Sequence, residues 1–193
     1  MTEQNPNLQI LTRTQVLGIM GITAVVLLVI AKVWQRLDSV SLLPVFWNVN
    51  HLALALAIAA GVTLGSHLIY RFWPRYRESA DAYLKMVLSP LAWPDLIWLG
   101  ILPGMSEELL FRGVMLSALG LNVTALVISS VLFGILHMGS IQQWPYSFWA
   151  AIVGGALGYS AIITGNLMVP IVAHTLTNFV AGCIWKSQHS SSV

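Results

Sequence analysis

The stretch GMSEELLFRGV, Gly104 to Val114, places Glu107, Glu108 and Arg112 within otherwise apolar sequence. Between Leu91 and Trp185 one other formally charged residue occurs, Asp95. An ionised side chain at the centre of a bilayer costs about 3 kcal/mol even on the lenient insertion scales. Such charges must be paired and must face the interior of a bundle. Glu108 and Arg112 stand at i and i+4, the favourable polarity for a helical ion pair. Glu107 is rotated by about 100° from Glu108 around a helix. It is therefore free of that pair and available for chemistry.

The rest of the chain makes the apolar setting general. Of 193 residues, 57% are hydrophobic and 8% charged, and the mean hydropathy is +0.78. A soluble domain carries roughly 25% charged residues, so a water-exposed surface cannot be covered here. A net charge of +2 without a basic cluster gives no nucleic-acid partner. The single cysteine, Cys183, excludes an intramolecular disulfide framework. These features specify an all-α, polytopic transmembrane helical bundle.

A membrane-spanning helix needs about 20 mostly apolar residues. The apolar blocks fall at about 16–34, 47–70, 92–119, 121–138, 146–164 and 168–185, which predicts about six spans. The first, behind Arg13, reads as a retained signal anchor. Pro103-Gly104 predicts a broken or kinked helix immediately before the glutamates. The basic interlude 71–90 reads as a cytoplasmic loop holding a short amphipathic helix over Glu78–Leu88. The organisation expected is therefore N-terminal helices with a basic loop over 1–90, a catalytic core over 91–185 and a polar tail over 186–193. Gly61 with Gly65, and Gly154 with Gly158, have the spacing that lets helices approach closely. Asp95 reads as a helix cap or interfacial residue, Asn166 as a turn residue, His51 as interfacial and His189 as part of a mobile tail.

Further polar groups recur at helical spacing. Phe133 and His137 share one face in FGILH, and His174 and Asn178 share one face in HTLTN. A Glu, two His and an Asn thus lie in three segments that are otherwise almost free of strongly polar groups. That conjunction is more telling than any lone membrane histidine, which interhelical hydrogen bonding explains as readily as catalysis does.

EELLFR, FGILH and HTLTN fit Glu-Glu-x-x-x-Arg, Phe-x-x-x-His and His-x-x-x-Asn, in that order. In this the chain resembles the CAAX protease and bacteriocin-processing (Abi) family of intramembrane endopeptidases, over about residues 91–183. The resemblance implies hydrolysis of a peptide bond in a membrane-associated protein or peptide. It implies Glu107 as general base, His137 as proton carrier, and His174 and Asn178 as oxyanion donors. Glu108 and Arg112 would brace the helix, and Phe133 would pack beside the site. No cofactor is expected; the alternative is Zn²⁺ held by Glu107, His137 and His174. The alternative function is a non-enzymatic membrane scaffold or bacteriocin-immunity protein of the same fold. The expected location is a multi-pass position in a prokaryotic plasma membrane or an internal membrane.

Overall fold

The structure, a computed structural model, describes residues 11–189. Among these residues every regular element is a helix, and there are no strands. The helices are α1 (Arg13–Leu37), α2 (Val49–Phe72), α3 (Pro74–Leu88), α4 (Leu96–Glu108), α5 (Leu116–Ala118), α6 (Val123–Leu136), α7 (Trp144–Thr164) and α8 (Met168–His189). A π-helical stretch, Leu109–Met115, joins α4 to α5 without a break. Local chemistry sets the boundaries. Thr12 and Gln15 form a capping box at α1, and Asn48 and Asn122 cap α2 and α6. Gly165, at φ 56°, ends α7 in the left-handed conformation.

Each of the six apolar blocks folds as helix, so the all-α membrane bundle expected from the sequence is the fold observed. Four helices are long and apolar enough to cross a membrane: α1, α2, α7 with the short turn before it, and α8. A fifth span arises if α3 and the Trp93–Ala118 segment, bent by 108° at the break between them, count as one. The remaining block, α6, has 14 residues. Its length of roughly 21 Å is short of a bilayer's ~30 Å core. Six spans is therefore an approximate count. Large apolar side chains such as Ile22, Val25, Val29 and Val33 are exposed along α1, which gives that helix a lipid-facing stripe.

The break expected at Pro103-Gly104 is displaced. Helix α4 runs through both residues, with the sharp bend before it at 89–92 and the π-helical widening after it. Gly104 instead permits close helix packing: a Cβ there would collide with Thr175 Oγ1 of α8. A Cβ at Gly100, one turn earlier, would lie 2.7 Å from Thr175 O. Helices α4 and α8 are thereby pressed together along a stripe of small residues. Gly154 and Gly158 also work as a pair, whereas a Cβ at Gly61 would meet nothing within 4 Å.

The shortness of α6 resolves how segments of different depth can meet. At ~1.5 Å per residue, Glu107 stands roughly 16 Å above Ala118, and Leu136 roughly 20 Å above Val123 across the turn. His137 caps the end of α6, so it arrives within about one helical turn of the level of Glu107. A full-length span would have carried it past. Leu116, Ala125 and Ala161 cluster at the same end of the bundle, from which α8 starts back. By the same rise, Asn178 lies roughly 15 Å along α8 from Met168 and His174 roughly 9 Å.

Gly134 sits at the crossing of α6 and α7, where an added Cβ would lie 2.7 Å from both Ser147 O and Ala151 Cβ. Backbone cannot yield there as a flexible side chain would. Gly134→Ala is expected to lower unfolding stability in detergent by about 1–3 kcal/mol, the usual cost of overpacking. An unchanged unfolding transition would show that α7 can slide at this crossing.

Two residues read as local features prove to be tertiary ties. Asp95 does not act as a side-chain cap of α4. It takes a two-point hydrogen bond from Arg13 at 2.7 and 2.8 Å and a third from Ala92 N, which pins the start of α1 to the start of α4. Asn166, fully buried, binds both Phe46 N and Phe46 O, Met168 N and His51 Nδ1. It anchors the 38–48 connection against the α7–α8 turn. His189 belongs to α8, stacked on Trp185 at 4.2 Å. Residues 190–193 of the polar tail lie outside the described residues.

Candidate active site

Arg112 organises the buried half of the site. Its side chain is wholly inaccessible, and its Nη1 donates to Glu108 Oε1 at 2.8 Å. Nη2 donates to Gly154 O at 2.9 Å. The guanidinium lies 4.5 Å from the centre of the Phe133 ring, a cation–π contact made by a fully buried cation. The glycine pair on α7 makes this possible. A Cβ at Gly154 would stand 3.2 Å from Nη2 and 3.1 Å from Phe133. The π-helical turn that carries Arg112 is a conformation that appears frequently at functional sites.

Glu108, also wholly inaccessible, accepts a second hydrogen bond at the same oxygen, from His174 Nδ1 at 2.7 Å. The carboxylate thus joins α4, the π-helical turn and α8. Because an ionised carboxylate can only accept, the proton of that bond is on His174 Nδ1. The Nε2 of His174 is then an acceptor in the neutral ring and a donor in the doubly protonated one.

Glu107 and His137 form a separate couple. Glu107 Oε2 and His137 Nε2 face each other at 3.8 Å, with the two side chains 16% and 20% exposed. That separation exceeds a direct hydrogen bond. His137 Nδ1 lies 2.8 Å from Phe133 O. A carbonyl only accepts, so Nδ1 carries a proton and, in the neutral ring, Nε2 presents its lone pair toward Glu107. The Phe133 ring stacks beside His137, at 4.5 Å, and meets His174 edge-on at 5.8 Å. It packs between the two Glu–His couples.

A cavity of about 380 Å³ opens onto the Glu107–His137 couple. Glu107, His137 and Asn178 line it, together with Tyr83, Ser106 and Tyr146. Apolar side chains of α1 and α3 form its outer wall. His174 is not among the lining residues; it is buried against Glu108. The structure therefore brings Glu107, His137 and Asn178 to one space and sets His174, Glu108 and Arg112 in the layer behind it. Tyr83 and Tyr146 were not legible as site residues, since α3 and the start of α7 carry no motif that marks them.

For the zinc alternative of Glu107, His137 and His174, the His174 Nδ1 is engaged with Glu108 at 2.7 Å, which leaves its Nε2 for any ligation. Among the described residues no three His, Cys, Asp or Glu side chains stand as a metal-holding group.

Residues 89–180 match the Rce1-like family, described as type II CAAX prenyl endopeptidase Rce1-like. An uncharacterized protein of Bacillus subtilis (strain 168), YpbD, is 27% identical over 146 residues, which cover 74% of this chain and 75% of the relative. No solved structure matches the chain. The matched segment contains all three motifs, the Arg112–Glu108–His174 network and the Glu107–His137 couple. Over residues 89–180 the chain is thus similar to the Rce1-like family, which supports, in general terms, an intramembrane protease of the CAAX type.

Proposed function

We propose that the chain hydrolyses a peptide bond of a membrane-associated protein or peptide, with Glu107 and His137 activating water. The observation that carries this reading is the pair of acceptors, Glu107 Oε2 and His137 Nε2, 3.8 Å apart on one cavity. A single water donating to both at hydrogen-bond distance would subtend about 85° between them. Both its protons would then point at the couple and its lone pairs into the cavity. As the oxygen attacks the scissile carbonyl carbon, one proton passes to the Glu107–His137 couple. When the carbon–nitrogen bond breaks, that proton goes to the leaving amine. The products are a carboxylic acid and an amine, and no metal is required by this sequence of steps.

Asn178 donates to the oxyanion from the cavity wall. His174 joins it only when its ring carries a second proton, because Nδ1–H is engaged with Glu108. Glu108 and Arg112 hold α4 against α7 and α8, and Phe133 holds His137. The substrate reaches the couple between α1 and α3, whose apolar side chains line the outer part of the cavity. That wall suits a chain arriving from the bilayer.

The test is cleavage of a labelled, membrane-anchored peptide by purified protein in liposomes. Activity is expected to survive exhaustive treatment with a strong chelator, with well under one zinc per chain by elemental analysis. Stoichiometric zinc, with activity lost on chelation and restored by zinc, would replace the glutamate mechanism with a metal one. A protein that cleaves no such peptide would favour the scaffold function.

A further inference from the structure

The cavity contains few groups able to stabilise an oxyanion. Ser106 Oγ donates to Leu102 O. His137 Nδ1 donates to Phe133 O, and its Nε2 is an acceptor in the water-activating state. His174 is absent from the lining, and its Nδ1 donates to Glu108. Thr23 is on the far, exposed wall formed by α1. The remaining donors are Asn178 and the phenols of Tyr83 and Tyr146.

The two tyrosines differ in their packing. Tyr146 stacks on Tyr83 at 4.6 Å and on Tyr76 at 6.3 Å, within an aromatic run that continues to Trp73. Tyr83 ends this run. Its ring orientation is thus set by Tyr146. Both tyrosines line the same cavity as Glu107.

We infer that Tyr83 is the second oxyanion donor, its hydroxyl acting with Asn178 on the carbonyl oxygen of the scissile bond. This rests on the hydrolytic reading of Glu107 and His137. A neutral phenol offers a donor in every protonation state of the couple, which His174 does not. The donor comes from α3, outside the segment 89–180 that matches the family. A role for α3 therefore extends the active site into the N-terminal half of the chain. Tyr83 is held there by the aromatic run, so an oxyanion forming in the cavity meets a donor that has little freedom left to lose.

Tyr83→Phe keeps the ring and its stacking and removes only the hydroxyl. With the labelled peptide in liposomes, its kcat is expected to fall on the order of 10²-fold, with KM and the thermal unfolding midpoint unchanged. The pH profile of kcat/KM separates this role from a nearby one. A hydroxyl that donated to Glu107 would move the acidic limb on removal, whereas an oxyanion donor leaves the limb in place. Full kcat in Tyr83→Phe, a shifted acidic limb, or a loss seen in Tyr146→Phe instead would overturn the assignment. If wild type cleaves and Glu107→Gln does not, while Tyr83→Phe matches wild type, this inference alone falls. If wild type does not cleave, both fall.

Discussion

Glu107→Gln is expected to lower the rate of peptide hydrolysis by about 10²–10⁴-fold, the contribution of a positioned general base. The amide keeps the volume of the side chain and removes the ability to take a proton. Folding should be unaffected, because Glu107 stands outside the Arg112–Glu108–His174 network and has no direct hydrogen bond at Oε2. Purified wild type and variant would be compared by peptide cleavage and by thermal unfolding in detergent. The expected pattern is lost turnover with a superimposable unfolding curve. A Gln variant that cleaves at the wild-type rate would remove Glu107 from the chemistry.

The neighbouring glutamate should behave in the opposite way. Glu108→Gln leaves the Arg112 guanidinium charged and wholly buried, and weakens the hydrogen bond that orients His174. Breaking a buried ion pair by removing one partner costs about 3–5 kcal/mol. The variant should therefore unfold at markedly lower temperature, and its activity should fall with the folded fraction and the misplaced histidine. Removing the second charge as well is the informative control. Glu108→Gln combined with Arg112→Met should recover part of the stability, since no uncompensated charge remains in the interior. Equal destabilisation by Glu107→Gln and Glu108→Gln would show that the two carboxylates share one structural role.

How much of the site was legible depends on which interactions are local. Glu108 with Arg112, Phe133 with His137, and His174 with Asn178 are each separated by one helical turn, so a sequence at helical spacing displays them directly. The contact between His174 and Glu108 joins residues 66 positions apart, and no spacing rule reaches it. Its consequence is chemical. It places the histidine proton on Nδ1 and removes His174 from the cavity lining. Asp95 shows the same limit: its partner Arg13 is 82 residues away, so a lone charge beside Pro94 resembled a cap. Tyr83 and Tyr146 were hidden for a different reason. Aromatic residues near membrane boundaries are common, and only packing separates an interfacial anchor from a cavity wall.

The sequence by itself determined the class of the molecule. Too few charges to cover a surface, apolar blocks near span length and three polar motifs inside them require a helical bundle in a membrane with its polar groups turned inward. Helical periodicity then determined which motif residues share a face, and that Glu107 points away from Glu108. Tertiary structure decided the rest, because depth and pairing are properties of several segments at once. The 14-residue length of α6, the bend at 89–92 and the close packing at Gly100 and Gly104 bring Glu107, His137 and Asn178 to one level. Arg112 could be buried only because Gly154 leaves room for its guanidinium and a carbonyl to receive it. A buried charge needs partners from more than one helix, and those partners exist only once the helices have packed.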